Sequence, residues 1–221
     1  MKKFLLVAIA FLSFPILAQA DSFTVNATRA DQNPTDIIDW GVNVPDGTSA
    51  LGPLAVSSFG LINATLSSSG NVFSGFTNGI DVFGNFDSGE SLLYNNAGGA
   101  VTVAFAPGSN VQSVGFEIQD ENFGPFTGEL DVYNGSTLLM TLGLAGLSNQ
   151  NLDGSALFMG LTDNTGANIT SVVINTGSGD FLIDDVSLTT GAPTATPEPG
   201  SILLLGSGLL GLAGVRRKWN A

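Results

Sequence analysis

Residues 113–120 read SVGFEIQD, and their side chains alternate. Val114, Phe116 and Ile118 fall on one side, and Gly115, Glu117 and Gln119 on the other. A period of two puts apolar groups on one face of an extended chain, the mark of a strand with one face in a core. The pattern continues outward. In 100–106 (AVTVAFA), Val101, Val103 and Phe105 alternate with small or hydroxyl residues, and in 129–133 (ELDVY) Leu130 and Val132 do the same. NITSVVINT (168–176) and FLIDDVSLTT (181–190) supply late strands.

Turn formers punctuate these runs: Asn95-Asn96-Ala97-Gly98-Gly99, Pro107-Gly108-Ser109-Asn110, Asn134-Gly135 and Thr176-Gly177-Ser178-Gly179. Asn134-Gly135, between ELDVY and STLLMTL, predicts a type I′ hairpin. Before residue 77 the pattern is less regular, with 36–42 and 59–66 as candidate strands. No long run carries a 3.6-residue apolar period, so the crossover helices of a parallel sheet are missing. The expectation is all-β: an antiparallel β-sandwich or jelly roll.

Composition excludes whole classes of chemistry. The 221 residues contain no Cys and no His. Disulfides, thiol nucleophiles, Ser–His pairs and Cys or His zinc sites are therefore out of reach. Any metal site would be built from oxygen alone, which favours calcium. Charge is placed unevenly. Residues 21–196 hold 18 of the 19 acids, and Arg29 is their one cation, a net charge near −17. Such a body repels nucleic acid and anionic lipid and stays in solution.

The two ends differ from the body. Lys2 and Lys3 precede an apolar run over 4–17, and Ala18-Gln19-Ala20 gives a small-x-small cleavage pattern with Asp21 as the new N-terminus. This reads as a signal peptide over 1–20, removed by signal peptidase. Residues 21–190 form the extracellular domain and 191–200 a linker rich in Pro and Thr. Residues 201–215 are apolar and Gly-rich, a short transmembrane helix, and 216–221 a basic cytoplasmic tail. Arg216, Arg217 and Lys218 hold the C-terminus inside. Pro197-Glu198-Pro199 cannot join that helix, because proline fixes φ and disfavours helix in the residue before it. Gly206-Ser207-Gly208-Leu209-Leu210-Gly211 matches G-x-G-x-x-G but follows no strand, so it reads as close helix packing rather than dinucleotide binding.

Pro197-Glu198-Pro199, the short apolar helix and the Arg216-Arg217-Lys218 cluster together resemble a PEP-CTERM sorting signal. Many such signals carry Val where Thr196 stands here. The resemblance implies export, transient anchoring in the inner membrane, and cleavage near the motif by exosortase in a bacterium that makes exopolysaccharide. Residues 86–188, ending in Ile183-Asp184-Asp185-Val186, also resemble carbohydrate-binding sandwiches. The resemblance implies that an Asp at this place can ligate a structural calcium.

Alternation over 181–188 puts Leu182, Asp184, Val186 and Leu188 on one face and Phe181, Ile183, Asp185 and Ser187 on the other. Asp184, on the more apolar face, is the candidate calcium ligand, against the plainer role of accepting backbone N–H bonds at a strand end or bulge. Asp120-Glu121-Asn122 and Asp163-Asn164 do not fit a calcium loop and read as solvated turns. Trp40, Tyr94 and Tyr133 are candidates for sugar stacking or for core. Glu90, Glu117, Glu121 and Glu129 are the only glutamates before the sorting signal, and a glycosidase would need two carboxylates about 5–9 Å apart. Four Asn-x-Ser/Thr triplets, at Asn26, Asn63, Asn134 and Asn168, fit chance in so Asn-, Ser- and Thr-rich a chain.

These readings converge on an exported, biofilm-associated or cell-surface protein. Its role is structural or adhesive rather than enzymatic, and extracellular polysaccharide is the candidate ligand. The alternatives are a carboxylate-dependent carbohydrate-active enzyme and an unprocessed membrane-anchored domain.

Overall fold

The computed structural model describes residues 21–191 except 71, 97, 167 and 178. The signal segment 1–20 and the tail 192–221, with the sorting residues and the apolar helix expected there, lie outside the described residues. No helix among the described residues is long and apolar enough to cross a membrane.

Two antiparallel sheets enclose one core. The larger runs β1 (Phe23–Asn26), β12 (Leu157–Asp163), β9 (Val111–Asp120), β14 (Phe181–Ile183), β7 (Ser91–Asn95), β6 (Val72–Thr77) and β3 (Ser49–Leu51). Beside β14, β15 (Val186–Thr190) also pairs with β9, and β2 (Asp36–Ile38) pairs with β15. The smaller sheet runs β11 (Thr137–Ser148), β10 (Gly124–Asn134), β13 (Ser171–Asn175), β8 (Val101–Phe105), β5 (Asn63–Ser68) and β4 (Leu54–Ser57). Val114, Phe116 and Ile118 of the first sheet and Val101, Val103, Leu130 and Val132 of the second are fully buried in one cluster. The alternation read from the sequence therefore marks the inner faces of a β-sandwich.

Several local expectations are corrected. Residues 36–42 do not form one strand: β2 stops at Ile38, and Trp40–Asn43 is a single helical turn, α2. The strand expected over 59–66 begins only at Asn63, with 59–61 in a turn fixed by Asp36, whose carboxylate accepts from Ser58 Oγ and the Gly60 N–H. The β10–β11 hairpin forms, but its two-residue loop is Gly135-Ser136, one residue later than predicted. Only Gly135 has positive φ (57°), which fits a type II′ turn rather than I′.

The last strand is broken where alternation predicted continuity. Ile183 pairs with Ile118, yet Ser187 pairs with Gly115. Four steps on one strand match three on β9, a one-residue bulge at Asp184-Asp185. The bulge reverses the faces. Phe181, Ile183, Val186 and Leu188 all reach the inner core, whereas Leu182 packs outside with Phe86 and Leu92. Leu182 and Leu188 thus do not share a face.

Candidate functional site

The bulge gathers the charged groups of the outer face of the larger sheet. Asp184 is 4% exposed. One of its oxygens accepts the Glu117 N–H and the other pairs with Arg29 Nη2. Arg29 arrives from α1 (Arg29–Gln32), a single turn capped by Thr28, whose Oγ1 accepts the Asp31 N–H at 3.1 Å. Its guanidinium also donates to the Asp185 carbonyl at 3.1 Å from both Nη1 and Nη2, and lies over the Phe158 ring, 6.0 Å from the centroid. Below the bulge sits Trp40, fully buried. Its Nε1 donates to the Asp184 carbonyl at 2.7 Å and its backbone N–H to Asp185 Oδ1 at 3.2 Å. Trp40 is therefore a core anchor, not a stacking platform.

Glu90 precedes β7 and Glu117 projects from β9, both half-buried. With Asp184 they bring three carboxylate oxygens within 4.8 Å of one another. One guanidinium cannot balance three such charges. Burial, with the Glu90 charge beside it and Arg29 opposing, pushes Glu117 up to about 7. Burial likewise holds Asp184 well above the usual carboxylate range despite Arg29, and raises Glu90. Asp185 is pushed up to about 6, again chiefly by burial, against the Trp40 N–H. Glu117 thus exchanges its proton near neutral pH, beside two carboxyls raised in the same direction by burial.

Glu117 and Arg29 open into a groove of about 780 Å³. Its walls are 25–29 after β1, 144–147 of β11 and 154–158 leading into β12, so it lies between an open edge of each sheet. Val25, Leu144, Leu147 and Leu157 make it apolar, while Asn26, Thr28, Ser155, Arg29 and Glu117 supply polar groups. Among these lining residues Glu117 is the one carboxylate.

The other sequence candidates are scattered. Tyr94 is half-buried against Phe76 (centroids 5.7 Å apart), and burial together with Glu121 raises its phenol. Tyr133 sits in β10 of the other sheet. Asp120 and Asp163 are not the solvated turn residues expected. They end β9 and β12 and are buried, because the carboxylates fold back on the backbone, Asp120 Oδ1 accepting the Asn122 N–H and Asp163 Oδ1 the Thr165 N–H. The sequence reading separated Glu90, Glu117 and Arg29 from Asp184. The one signal pointing to their union was Arg29 itself, the lone cation of an acidic body.

Residues 195–218 match the family described as the PEP-CTERM protein-sorting motif. The chain carries this motif and is an exported protein sorted through it by exosortase. Comparison with curated proteins finds no match. Among solved structures, the chain is similar to CsCBM6-3 from Clostridium stercorarium in complex with cellobiose, at 15% identity over 57% of this chain and 86% of that one, TM-score 0.33. It is also similar to TmCBM61 in complex with beta-1,4-galactotriose (12%, 76% and 99%, TM-score 0.33). A third likeness is to the CBM22-1-GH10 modules of Clostridium thermocellum xylanase 10B with xylohexaose (16%, 58% and 25%, TM-score 0.29). At scores this low the likeness says nothing of ligand or activity.

Proposed function

With sorting as the premise, we propose that this protein is a non-enzymatic component of the cell surface or extracellular matrix that binds polysaccharide in the groove between its sheet edges. The observation that carries the reading is the lining of that groove, with apolar walls broken by an amide, hydroxyls, a guanidinium and a carboxylate. Such a mixture suits a sugar, whose ring faces are apolar and whose rim is hydroxyl.

The same lining bears on the enzyme alternative. A two-carboxylate hydrolase would need a second acid to work beside Glu117, which lines the groove while Asp184 lies buried under Arg29. The calcium reading of Asp184 stands as a secondary proposal. Glu90, Glu117 and Asp184 offer a hard, oxygen-only donor set. Both Asp184 oxygens are already engaged, however, so an ion there would share the carboxylate with Arg29 or displace it.

The anchoring scheme is part of the proposal. After signal peptidase acts, 201–215 holds the chain in the inner membrane with Arg216, Arg217 and Lys218 cytoplasmic, until cleavage near Pro197-Glu198-Pro199 frees the body. Binding of the body to exopolysaccharide from exosortase-bearing bacteria is tested by co-sedimentation. Ala27→Trp, an exposed position on the groove wall, is expected to abolish binding without changing the melting temperature. Equal binding by this variant overturns the groove assignment.

A further inference from the structure

The two sheets leave five edges among the described strands: β1, β2 and β3 in the larger sheet, β4 and β11 in the smaller. Four are short, with three or four residues each. β11 has twelve, Thr137–Ser148, and contains neither a charge nor a proline. Short strands, charges and proline are the usual guards of an edge, because unpaired N–H and C=O groups otherwise template another strand. Among the described strands β11 pairs with β10 alone, so its other side carries such a row. Only its far end is covered, where Asn85 Nδ2 donates to the Leu147 carbonyl.

We propose that two copies of this chain join edge to edge through β11, antiparallel and centred near Leu142, fusing their smaller sheets into one. Two features select a second copy as the occupant. The first is charge. The body carries eighteen acids against Arg29, so two copies repel over most of their surface. The uncharged run from Val132 to Leu152 contains all of β11 and is a strip where they meet without that penalty.

The second feature is self-complementarity. Met140, Leu142 and Leu144 turn to the core side, while Thr141, Gly143 and Ala145 stand exposed on the other. Pairing about a two-fold axis through Leu142 puts Met140 opposite Leu144 of the second copy, and Leu142 opposite its counterpart. Like faces meet, both cores lie on one side, and the half-buried Met140 and Leu144 gain cover. Thr141 then faces Gly143, a small pair on the outer face; a Cβ at Gly143 would meet nothing within 4 Å. A one-residue slip would instead set leucines against the exposed row. The free stretch of about ten residues gives a seam roughly 34 Å long.

The seam shares Leu144, Ala145 and Gly146 with the groove wall, so pairing and sugar binding compete there. The interface is tested with no sugar present, on the body, 21–191, which holds its whole two-sheet core. Sedimentation equilibrium is expected to show a monomer–dimer equilibrium. Met140→Lys is expected to weaken it by roughly tenfold or more, the equivalent of about 1.4 kcal/mol. An inward charge at an edge reaches solvent in the monomer and is trapped in the dimer. A second measurement stands even where that variant folds poorly. The chain has no cysteine, so Gly143→Cys introduces a single thiol. Across the proposed axis two such thiols lie on a diagonal pair about 7–8 Å apart. A short bis-maleimide should link full-length Gly143→Cys into dimers and leave Ser57→Cys, on β4, unlinked. A body that is monomeric at every concentration, or equal linkage of the two cysteine variants, overturns the proposal.

Discussion

Replacing Glu117 by glutamine should stabilise this protein at neutral pH and flatten its response to acid. The Glu117 carboxyl titrates near 7 in the fold against 4.5 for an ordinary glutamate. A folded pKa above the unfolded one means the folded state binds the proton more tightly. That contribution is fully present below about pH 4.5 and is lost as pH rises through 7. The displacement of roughly 2.5 pH units corresponds to about 3 kcal/mol before screening. Glu117 is only half-buried and borders an open groove, so screening reduces this to about 1–2 kcal/mol. Glutamine keeps the shape and has no charge to desolvate. For a body of this size the gain is a rise of about 3–6 °C in melting temperature at pH 8.

Thermal unfolding of the body at pH 5 and pH 8 checks it. The unsubstituted protein should be more stable at the lower pH, since Asp184, Asp185 and Glu90 are raised in the same direction. Glu117→Gln should narrow that difference without abolishing it, and Arg29 remains to hold Asp184. A wild-type protein that gains stability from pH 5 to pH 8, or a variant with the parental pH slope, refutes the reasoning.

Arg29→Met should cost about 3–5 kcal/mol at pH 8 by urea unfolding, because it strands a buried carboxylate, and the loss should shrink at pH 5 as Asp184 takes a proton. Gly75→Ala should destabilise by about 1–3 kcal/mol or more in the same assay, since its Cβ would lie 1.9 Å from the Val44 carbonyl oxygen. Under the calcium proposal, millimolar calcium should raise the melting temperature relative to chelator, and Asp184→Asn should erase the rise; identical curves with and without calcium remove the proposal. Intact mass of the exported protein should show loss of everything beyond the Pro197-Glu198-Pro199 region, and retention of 201–215 would favour a plain anchor.

The sandwich was legible because period-two alternation in 100–133 is a local signal, and it survived into β8, β9 and β10. The bulge was not. Both faces of 181–188 carry apolar residues, because Phe86 and Leu92 cover the outer side at Leu182. Alternation there holds no record of a slipped register. The helical turn at Trp40 was hidden for a similar reason. An apolar run reads as strand, and it is Asp185, 145 residues away, that accepts the Trp40 N–H. The carboxylate cluster required knowing that β9 lies against β14 and β15, and that β14 also meets β7, pairings no spacing reveals. Asp184 could be chosen from its own neighbours; its companions could not.

β14 lies between β9 and β7, so the last strand but one of the body is the keystone of the larger sheet rather than its margin. A polypeptide threaded outward amino end first delivers that strand near the end, with only β15 to follow. Until residue 183 clears the translocation channel, β12–β9 and β7–β6–β3 have no strand to join them, and Arg29 waits for its carboxylate. Closure of the sandwich therefore coincides with arrival of the linker and sorting tail. On the proposed export route, the processing enzyme would meet its recognition peptide attached to a domain that has only just received all its strands.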